Sequence, residues 1–348
     1  MQTDVIHAVA PTRICDVGGW TDTHFAGHGT VFNIAVYPYV EVQIQYRSAE
    51  TPANRIVVSA ENFGDSYAMD PARLPAGKHP LIEAAIRVMN VPSGLALNIN
   101  IFSYAPPGAS MGTSAAVSVA LIGALDALTP GRLTPHEVAA LAHSIETREL
   151  GLECGIQDQL SSAYGGIGFI QMHRFPHAVV SPIQIPNEVW WELEQRLVLA
   201  YIGTPHQSSS IHKMVISALG NSAEQDSRIE RLRRLAHRTK DALYAGDFAA
   251  MGGFFDENTQ VQRELHPKLV CEAFEDIIST ARDLHALGCK VNGAGGDGGS
   301  ISILTAGDMS QKRALQNALI SKGFKVLPIY LSRQGLRVWK TVTKGSPA

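Results

Sequence analysis

Residues 106–128 read PPGASMGTSAAVSVALIGALDAL, and the character of this stretch changes at Ser114. Glycines and small hydroxyl side chains come before Ser114, a composition typical of a loop. Small and apolar residues follow it, which predicts a buried helix. A glycine loop that opens a helix brings backbone N–H groups and the positive end of the helix dipole together, as a phosphate site requires. A capped turn before a helix explains the same composition, so this loop alone leaves both interpretations open.

The spacing within this loop excludes two nucleotide-binding motifs. No Lys-Ser/Thr pair follows Gly112, as a Walker A loop would require. The glycine spacing also differs from that of a dinucleotide-binding fingerprint. If the loop binds phosphate, its own backbone and hydroxyl groups must do so, and the candidates are Pro107, Gly108, Ala109, Ser110, Met111, Gly112, Thr113 and Ser114.

A second segment, residues 145–166, reads IETRELGLECGIQDQLSSAYGG, and two of its carboxylates, Glu146 and Asp158, are separated by a loop that contains glycine. Mg²⁺ prefers one or two carboxylates together with phosphate oxygens. A hydroxyl that accepts a phosphoryl group needs a nearby carboxylate to take or orient its proton. For this segment alone, however, a helix-capping Asp158 and a solvated Glu146 are the better interpretation.

Two further segments combine glycine with charge. Residues 11–22 read PTRICDVGGWTD, in which Arg13 can offset phosphoryl charge and Asp22 can accept hydrogen bonds from sugar hydroxyls. A structural ion pair in a tight turn is the alternative. Residues 290–299 read KVNGAGGDGG and lie between a predicted helix and a hydrophobic strand. That position favours close backbone packing over a flexible hairpin.

The order of predicted elements suggests two domains, since single cores rarely exceed about 250–300 residues and the chain has 348. The first hundred residues are rich in strands, and one long strand over 30–46 is expected to bend at Pro38. The second half reads helix, loop, strand, helix, strand, which indicates an α+β unit. We predict domains at 1–190 and 191–348.

Composition narrows the function classes. The net charge is −3, and no basic stripe favours a nucleic-acid partner. The four cysteines are far apart without metal-site spacing, which predicts reduced thiols. The sequence shows neither a signal-peptide pattern nor an apolar run of the ~20 residues that span a bilayer. We therefore expect a cytoplasmic enzyme without a membrane partner.

Together these segments resemble the GHMP kinase family, which includes galactokinase and the homoserine, mevalonate and phosphomevalonate kinases. Its three motifs are similar to Pro11–Asp22, Pro107–Ala116 and Lys290–Gly298, in order and over nearly the whole chain. The resemblance implies a two-domain α+β fold. Its N-terminal α/β domain would have a left-handed β-α-β unit, and its C-terminal domain would be ferredoxin-like. It also implies ATP and Mg²⁺ as cofactors.

The resemblance also implies roles for single residues. Asp158 lies in a Gly-Ile-x-Asp-Gln motif as the base, with Arg13 against it. Ser114 and Glu146 would hold Mg²⁺. The remaining matches are the phosphate loop 107–114, the substrate residues Asp22, Gly19 and Trp20, and the third-motif glycines Gly293, Gly295 and Gly296.

The first motif bears on the substrate. Galactokinases carry Gly-Glu-His-Thr-Asp where this chain has Gly-Gly-Trp-Thr-Asp at 18–22, which disfavours galactose. The pattern is similar to heptose 7-phosphate kinases and the fucokinase domain, both of which phosphorylate the anomeric hydroxyl. We expect D-glycero-D-manno-heptose 7-phosphate as substrate and the 1,7-bisphosphate as product. The alternatives are a fucokinase, galactokinase or glucuronokinase-like sugar 1-kinase, a mevalonate-type kinase, and a non-catalytic sensor of ATP and sugar.

A phosphorylated sugar needs a cationic anchor. Residues 204–213 read TPHQSSSIHK and offer His206, three serines, His212 and Lys213 for this role. A serine-capped helix start explains that stretch equally well. The expected partner is thus a small sugar or sugar phosphate, and the expected assembly is a monomer or homodimer.

Overall fold

Two β-sheets organise the chain in the computed structural model, which describes residues 3–49, 55–70, 77–129, 132–204 and 208–343. The strands are β1 (Thr3–Val17), β2 (Gly29–Ser48), β3 (Ile56–Ala60), β4 (Asp65–Met69), β5 (Leu95–Ser103), β6 (Ile167–Arg174), β7 (His177–Pro182), β8 (Leu197–Tyr201), β9 (Gly288–Val291), β10 (Ser300–Leu304), β11 (Lys325–Leu327), β12 (Tyr330–Leu331) and β13 (Arg337–Thr343). The helices are α1 (Pro80–Val88), α2 (Thr113–Asp126), α3 (Pro135–Ser144), α4 (Gln157–Tyr164), α5 (Asn187–Arg196), α6 (Ser208–Leu219), α7 (Ser227–Ala245), α8 (Phe248–Leu265), α9 (Glu272–Asp283) and α10 (Met309–Ser321).

The larger sheet is built on the long antiparallel pair β1 and β2, and its main order is β13-β1-β2-β5-β3-β4. β2 pairs with β6 over 29–34 and with β5 over 40–48, so its partner changes around the predicted bend at Pro38. β3 and β5 are parallel and are joined through α1, which gives the β-α-β unit that the resemblance implied. The left hand of this crossover stays a prediction.

The smaller sheet has the order β11-β8-β10-β9 with antiparallel neighbours throughout. Along the chain its elements follow in the order β8, α9, β9, β10, α10 and β11. Three further helices, α6 to α8, lie in the sequence between β8 and α9. Apolar residues of α9 and α10 cover the sheet. This is the ferredoxin-like arrangement expected for the second half. The last strand, β13, returns to pair with β1, and the domain division at 190/191 stays a prediction.

The helices α1 to α4 pack on one face of the larger sheet, where every second residue of β1, β2 and β5 is apolar. Of these, α3 begins with the capping box that its sequence predicts, because Thr134 and Glu137 bond each other's backbone N–H groups. Packing of this layer fixes the N-terminal ends of α2 and α4 beside the end of β1. None of the described helices is both long and apolar enough to cross a membrane.

Candidate active site

The loop before α2 opens onto a cavity of about 330 Å³. Gly112 precedes the helix in a left-handed conformation (φ +69°), and a Cβ there would lie 3.2 Å from Cγ of Asp158. Ser110 also has a positive φ of 57°, which is strained for a residue with a side chain. N–H groups in the first turn of a helix have no partner within the helix. The loop therefore presents hydrogen-bond donors where an anion can approach.

The cavity brings together most of the residues predicted from sequence. Its lining includes the loop 108–114 and residues from the three other segments described above. These are Arg13, Trp20 and Asp22 of the first motif, Glu146 and Asp158 of residues 145–166, and Gly293 of the third motif. Gly19 and Pro107 lie beside this lining rather than in it. Lys213 is exposed and is also outside it, and His206 falls outside the described residues.

Asp158 and Arg13 form the most direct ion pair of the cavity. Nε of Arg13 donates to Oδ1 of Asp158 at 2.7 Å, and Nη1 donates to the carbonyl oxygen of Ser110. Arg13 is only 4% exposed. Burial opposes its charge, but Asp158 and Asp16 outweigh this effect and raise the pKa of Arg13 above its ordinary value. Asp158 is the second residue of α4 and does not cap it, so the capping interpretation is wrong.

Glu146 is buried at the far side of the cavity. It lies in a π-helical turn, Ile145–Glu149, and is 6% exposed, so the interpretation as a solvated helix residue is wrong. The amide of Gln159 donates to its Oε1 at 2.9 Å. Burial, together with the charge of Asp158, raises the pKa of Glu146 to about 7. Glu146 and Ser114 both line this cavity, and a carboxylate and a hydroxyl are oxygen donors that suit Mg²⁺.

Asp22 also lines the cavity and ends the first motif, three residues after Gly19. The backbone N–H of Gln157 donates to its Oδ2 at 3.0 Å. Burial raises the pKa of Asp22 to about 6, although this hydrogen bond acts in the opposite direction. A Cβ on Gly155 would lie 2.0 Å from Oδ2 of Asp22. The Gly155–Gln159 motif therefore places two acids, Asp22 and Asp158, at the same cavity.

Trp20 and His212 form one end wall of the cavity. Their ring centres are 4.8 Å apart, and both residues belong to the lining. The buried indole Nε1 of Trp20 has no hydrogen-bond partner within the described residues. His212 is one of several candidate anchors that the sequence offers in this stretch, together with His206, three serines and Lys213. The structure puts His212, rather than Lys213, at the cavity.

The third glycine-rich segment packs against the first motif from the C-terminal half. Lys290 and Asp16 are both 1% exposed, and Nζ lies 3.4 Å from Oδ1. The backbone N–H of Gly293 donates to both oxygens of Asp16, at 3.0 and 3.1 Å. Although burial opposes ionisation, Lys290 and Arg13 lower the pKa of Asp16. Sequence reasoning gave neither Asp16 nor Lys290 a role.

The other glycines of this segment allow close approach. A Cβ on Gly295 would lie 2.1 Å from the carbonyl oxygen of Leu269. One on Gly296 would lie 2.8 Å from Cδ1 of Ile211, in the first turns of α6. The segment therefore docks α6, which carries His212, and the interpretation as a flexible hairpin does not hold.

A second cavity of about 330 Å³ adjoins the first along the loop. It shares Gly108, Thr113 and Ser114 with the first cavity, and Pro107 lines the second cavity alone. Most of its remaining lining is apolar and includes Phe63, Leu81, Ile82, Ile101 and Val117. The arrangement offers a flat, apolar ligand group a place next to a site for phosphate.

Comparisons of the sequence with known proteins find a matching family model and several relatives. Residues 80–166 match the model of the GHMP kinases N terminal domain. A D-glycero-alpha-D-manno-heptose 7-phosphate kinase from Campylobacter jejuni is 25% identical over 246 residues, which cover 71% of each chain. A mevalonate kinase from Thermococcus sibiricus is 30% identical over 70% of this chain and 69% of its own length.

Solved structures agree in fold. A D-glycero-D-manno-heptose 1-phosphate kinase from Bacteriodes thetaiotaomicron superposes with a TM-score of 0.74. The superposition covers 96% of this chain and 98% of the other, at 23% sequence identity. At that identity the likeness is one of fold, and it extends over both sheets.

Proposed function

The chain belongs to the GHMP kinase family, and on that basis we propose that it transfers the γ-phosphoryl group of ATP to a sugar hydroxyl. One observation carries the proposal. Arg13 and Asp22 come from residues 11–22, Glu146 and Asp158 come from residues 145–166, and all four line one cavity together with the loop that opens α2. Phosphoryl transfer needs this combination of a carboxylate for the acceptor, cationic and N–H donors for phosphate, and a ligand for a metal ion.

ATP would occupy both cavities. We place the adenine in the apolar cavity beside Phe63 and Val117, and the phosphates over the loop 108–114. Ser114 and Glu146 would hold Mg²⁺, which neutralises charge on the phosphate oxygens when bound. The shared loop residues support this placement, because one ligand can follow the loop from one cavity to the other.

The acceptor hydroxyl would lie between Asp22 and Asp158. Its oxygen forms a bond to the γ-phosphorus while the bond from that phosphorus to the bridging oxygen of ADP breaks. Asp158 accepts or orients the hydroxyl proton, and Arg13 and the loop N–H groups offset charge on the transferring oxygens. The ion pair between Arg13 and Asp158 keeps the carboxylate facing this point before substrate arrives.

We further propose D-glycero-D-manno-heptose 7-phosphate as the sugar and its anomeric hydroxyl as the acceptor. Gly19 and Trp20 in the first motif and the similarity to a heptose 7-phosphate kinase support this choice. A fucokinase, galactokinase or glucuronokinase-like specificity is the alternative within the class. A sensor that binds ATP and sugar without turnover is the alternative outside it.

An ATP-consumption assay with Mg²⁺ tests the proposal. The acceptors are heptose 7-phosphate, fucose, galactose, glucuronic acid, mannose and mevalonate, and Asp158→Asn is the control. Turnover with one sugar that the variant loses supports the proposal and identifies the sugar. Turnover with mevalonate alone contradicts the sugar assignment. If sugars raise the melting temperature but none is phosphorylated, the sensor is the better interpretation.

The end wall gives a prediction for the substrate's phosphate. We expect His212→Ala to raise KM for a sugar phosphate by about 10-fold, which corresponds to ~1.4 kcal/mol of lost binding. Lys213→Ala is the matched control, and it should leave KM within about twofold because its side chain is exposed and outside the cavity lining. KM values for the phosphorylated and unphosphorylated sugar measure the effect. A rise with Lys213→Ala alone would make Lys213 the anchor.

Gly155 gives a prediction for the acceptor side. We expect Gly155→Ala to raise KM for the acceptor at least ~10-fold, because the new Cβ would displace the carboxylate of Asp22. The Kd for ATP should change less, since the phosphate loop is untouched. Gly94→Ala, where a Cβ meets open space, is the control. Equal KM values for the two variants would remove Asp22 from the acceptor site.

A further inference from the structure

Four charged side chains of alternating sign lead from β9 to the base. They are Lys290, Asp16, Arg13 and Asp158. Nζ of Lys290 lies 3.4 Å from Oδ1 of Asp16, and Nη1 of Arg13 lies 3.9 Å from the same oxygen. Nε of Arg13 then reaches Oδ1 of Asp158 at 2.7 Å. The row joins the third glycine-rich segment to the first motif and to α4.

Burial makes these charges interact strongly. Lys290 and Asp16 are 1% exposed and Arg13 is 4% exposed, while Asp158 is 28% exposed. Water and salt screen such buried pairs far less than surface pairs. A buried charge that loses its partner must find another one or leave the site. The three buried members are therefore coupled. Asp158, Arg13 and Asp16 belong to the cavity lining, and Lys290 lies outside it.

A single oxygen of Asp16 is shared. Oδ1 receives the N–H of Gly293 at 3.0 Å and the ammonium of Lys290 at 3.4 Å, with Arg13 further away. Arg13 is thus held loosely by Asp16 and tightly by Asp158. This division depends on Lys290, because Lys290 satisfies most of the charge of Asp16.

We propose that Lys290 is a positioning residue: by pairing with Asp16, it keeps the guanidinium of Arg13 turned towards Asp158. Through Lys290 the C-terminal half sets the geometry of the base. The proposal rests on the proposed function only for its activity readout. It assigns no contact with substrate to either residue.

The row predicts unequal effects for the loss of Lys290 and for the loss of the charge on Asp16. Without Lys290, Arg13 is the one cationic side chain among the described residues that remains paired with Asp16, and it should move towards Asp16 and away from Asp158. Without the charge of Asp16, Arg13 keeps Asp158 as its partner, and Lys290 can lose its proton because burial already lowers its pKa. In the double variant Lys290 no longer pairs with residue 16, but residue 16 has no charge with which to attract Arg13. Arg13 should therefore stay with Asp158.

The experiment compares Lys290→Met, Asp16→Asn and the double variant by two readouts. The ¹⁵N-labelled protein reports the side-chain Nε–H resonance of Arg13, identified by its loss in Arg13→Lys. We expect Lys290→Met to shift this resonance and to lower kcat about 10- to 10²-fold, the usual cost of a misplaced catalytic group. Asp16→Asn and the double variant should keep the resonance near its wild-type position and kcat within about threefold.

Controls separate positioning from a structural ion pair. Lys322→Met removes the lysine of an exposed pair with Asp276 and should change neither readout. An unshifted Nε–H in Lys290→Met overturns the proposal, and so does a double variant that loses as much kcat as Lys290→Met. If Lys290→Met does not fold, Lys290→Gln gives the same comparison and keeps a donor for Asp16. A wild type without turnover contradicts the proposed function, while the resonance still tests positioning.

Discussion

Asp158→Asn should lower kcat by at least ~10²-fold, which is the usual loss when a general base is removed. The amide keeps the shape of the side chain but cannot take the proton of the acceptor hydroxyl. In the wild type, Nε of Arg13 donates to Oδ1 of Asp158 at 2.7 Å. In the variant this donor faces a neutral amide instead of a carboxylate. Binding of ATP should remain, because the loop and the apolar cavity are unchanged. We expect KM for ATP to stay within about threefold.

Single-turnover kinetics with the sugar that the panel identifies measures this loss. Asp297→Asn is the control, since Asp297 is exposed within the third glycine-rich segment and outside the cavity lining. Circular dichroism before the assay establishes that both variants are folded. A kcat within about fivefold of wild type would show that Asp158 only orients the acceptor, and Asp22 would then be the next candidate for the base.

Local features of the fold were predictable because their causes lie within a few residues. The loop 106–113 and helix α2 follow from glycine, hydroxyl and small apolar residues in sequence. The capping box of α3 follows from Thr134 and Glu137, and β10 has the predicted bounds. In each case, backbone preference and side-chain pattern favour the same element.

Long-range features were not predictable from the same patterns. Helix α8 was not predicted, because glycines and polar residues interrupt its apolar pattern over 248–265. Strand β13 pairs with β1 from the opposite end of the chain, and no local spacing indicates this partner. Glu146 looks like a solvated helix residue until α4 and the 150–157 loop cover it. The pairing of Asp16 with Lys290 likewise depends on the packing of the two sheets.

Glu146→Gln should have opposite effects on stability and activity. In the metal-free protein, burial raises the pKa of this carboxyl to about 7, compared with 4.5 in an unfolded chain. Between these values the folded state binds more protons than the unfolded state. The free energy of unfolding therefore falls as pH rises from about 4.5 to 7. At pH 8 the full penalty is present, and a shift of this size corresponds to about 3 kcal/mol.

Glutamine removes the buried charge and keeps a polar group beside Gln159. Urea unfolding of the metal-free protein should therefore show the variant to be more stable by up to ~3 kcal/mol at pH 8, with the difference fading towards pH 4.5. Glu41→Gln, at an exposed position of β2, is the control and should show no such pH dependence. A variant that is less stable at both pH values would mean that Glu146 has a cationic partner in the folded protein.

Activity should change in the other direction. Without the carboxylate, we expect kcat to fall at least ~10-fold and the Mg²⁺ concentration for half-maximal rate to rise, because a neutral amide is a weaker ligand for a hard cation. Mg²⁺ with ATP should stabilise the wild type more than the variant, since only the wild type gains a counter-charge for a buried carboxylate. The wild-type gain should also grow from pH 6 to 8, as Glu146 loses its proton. If Glu146 serves to bind a metal ion, the variant should be more stable but less active than the wild type. If Glu146 had a structural role, the variant would lose stability and activity together.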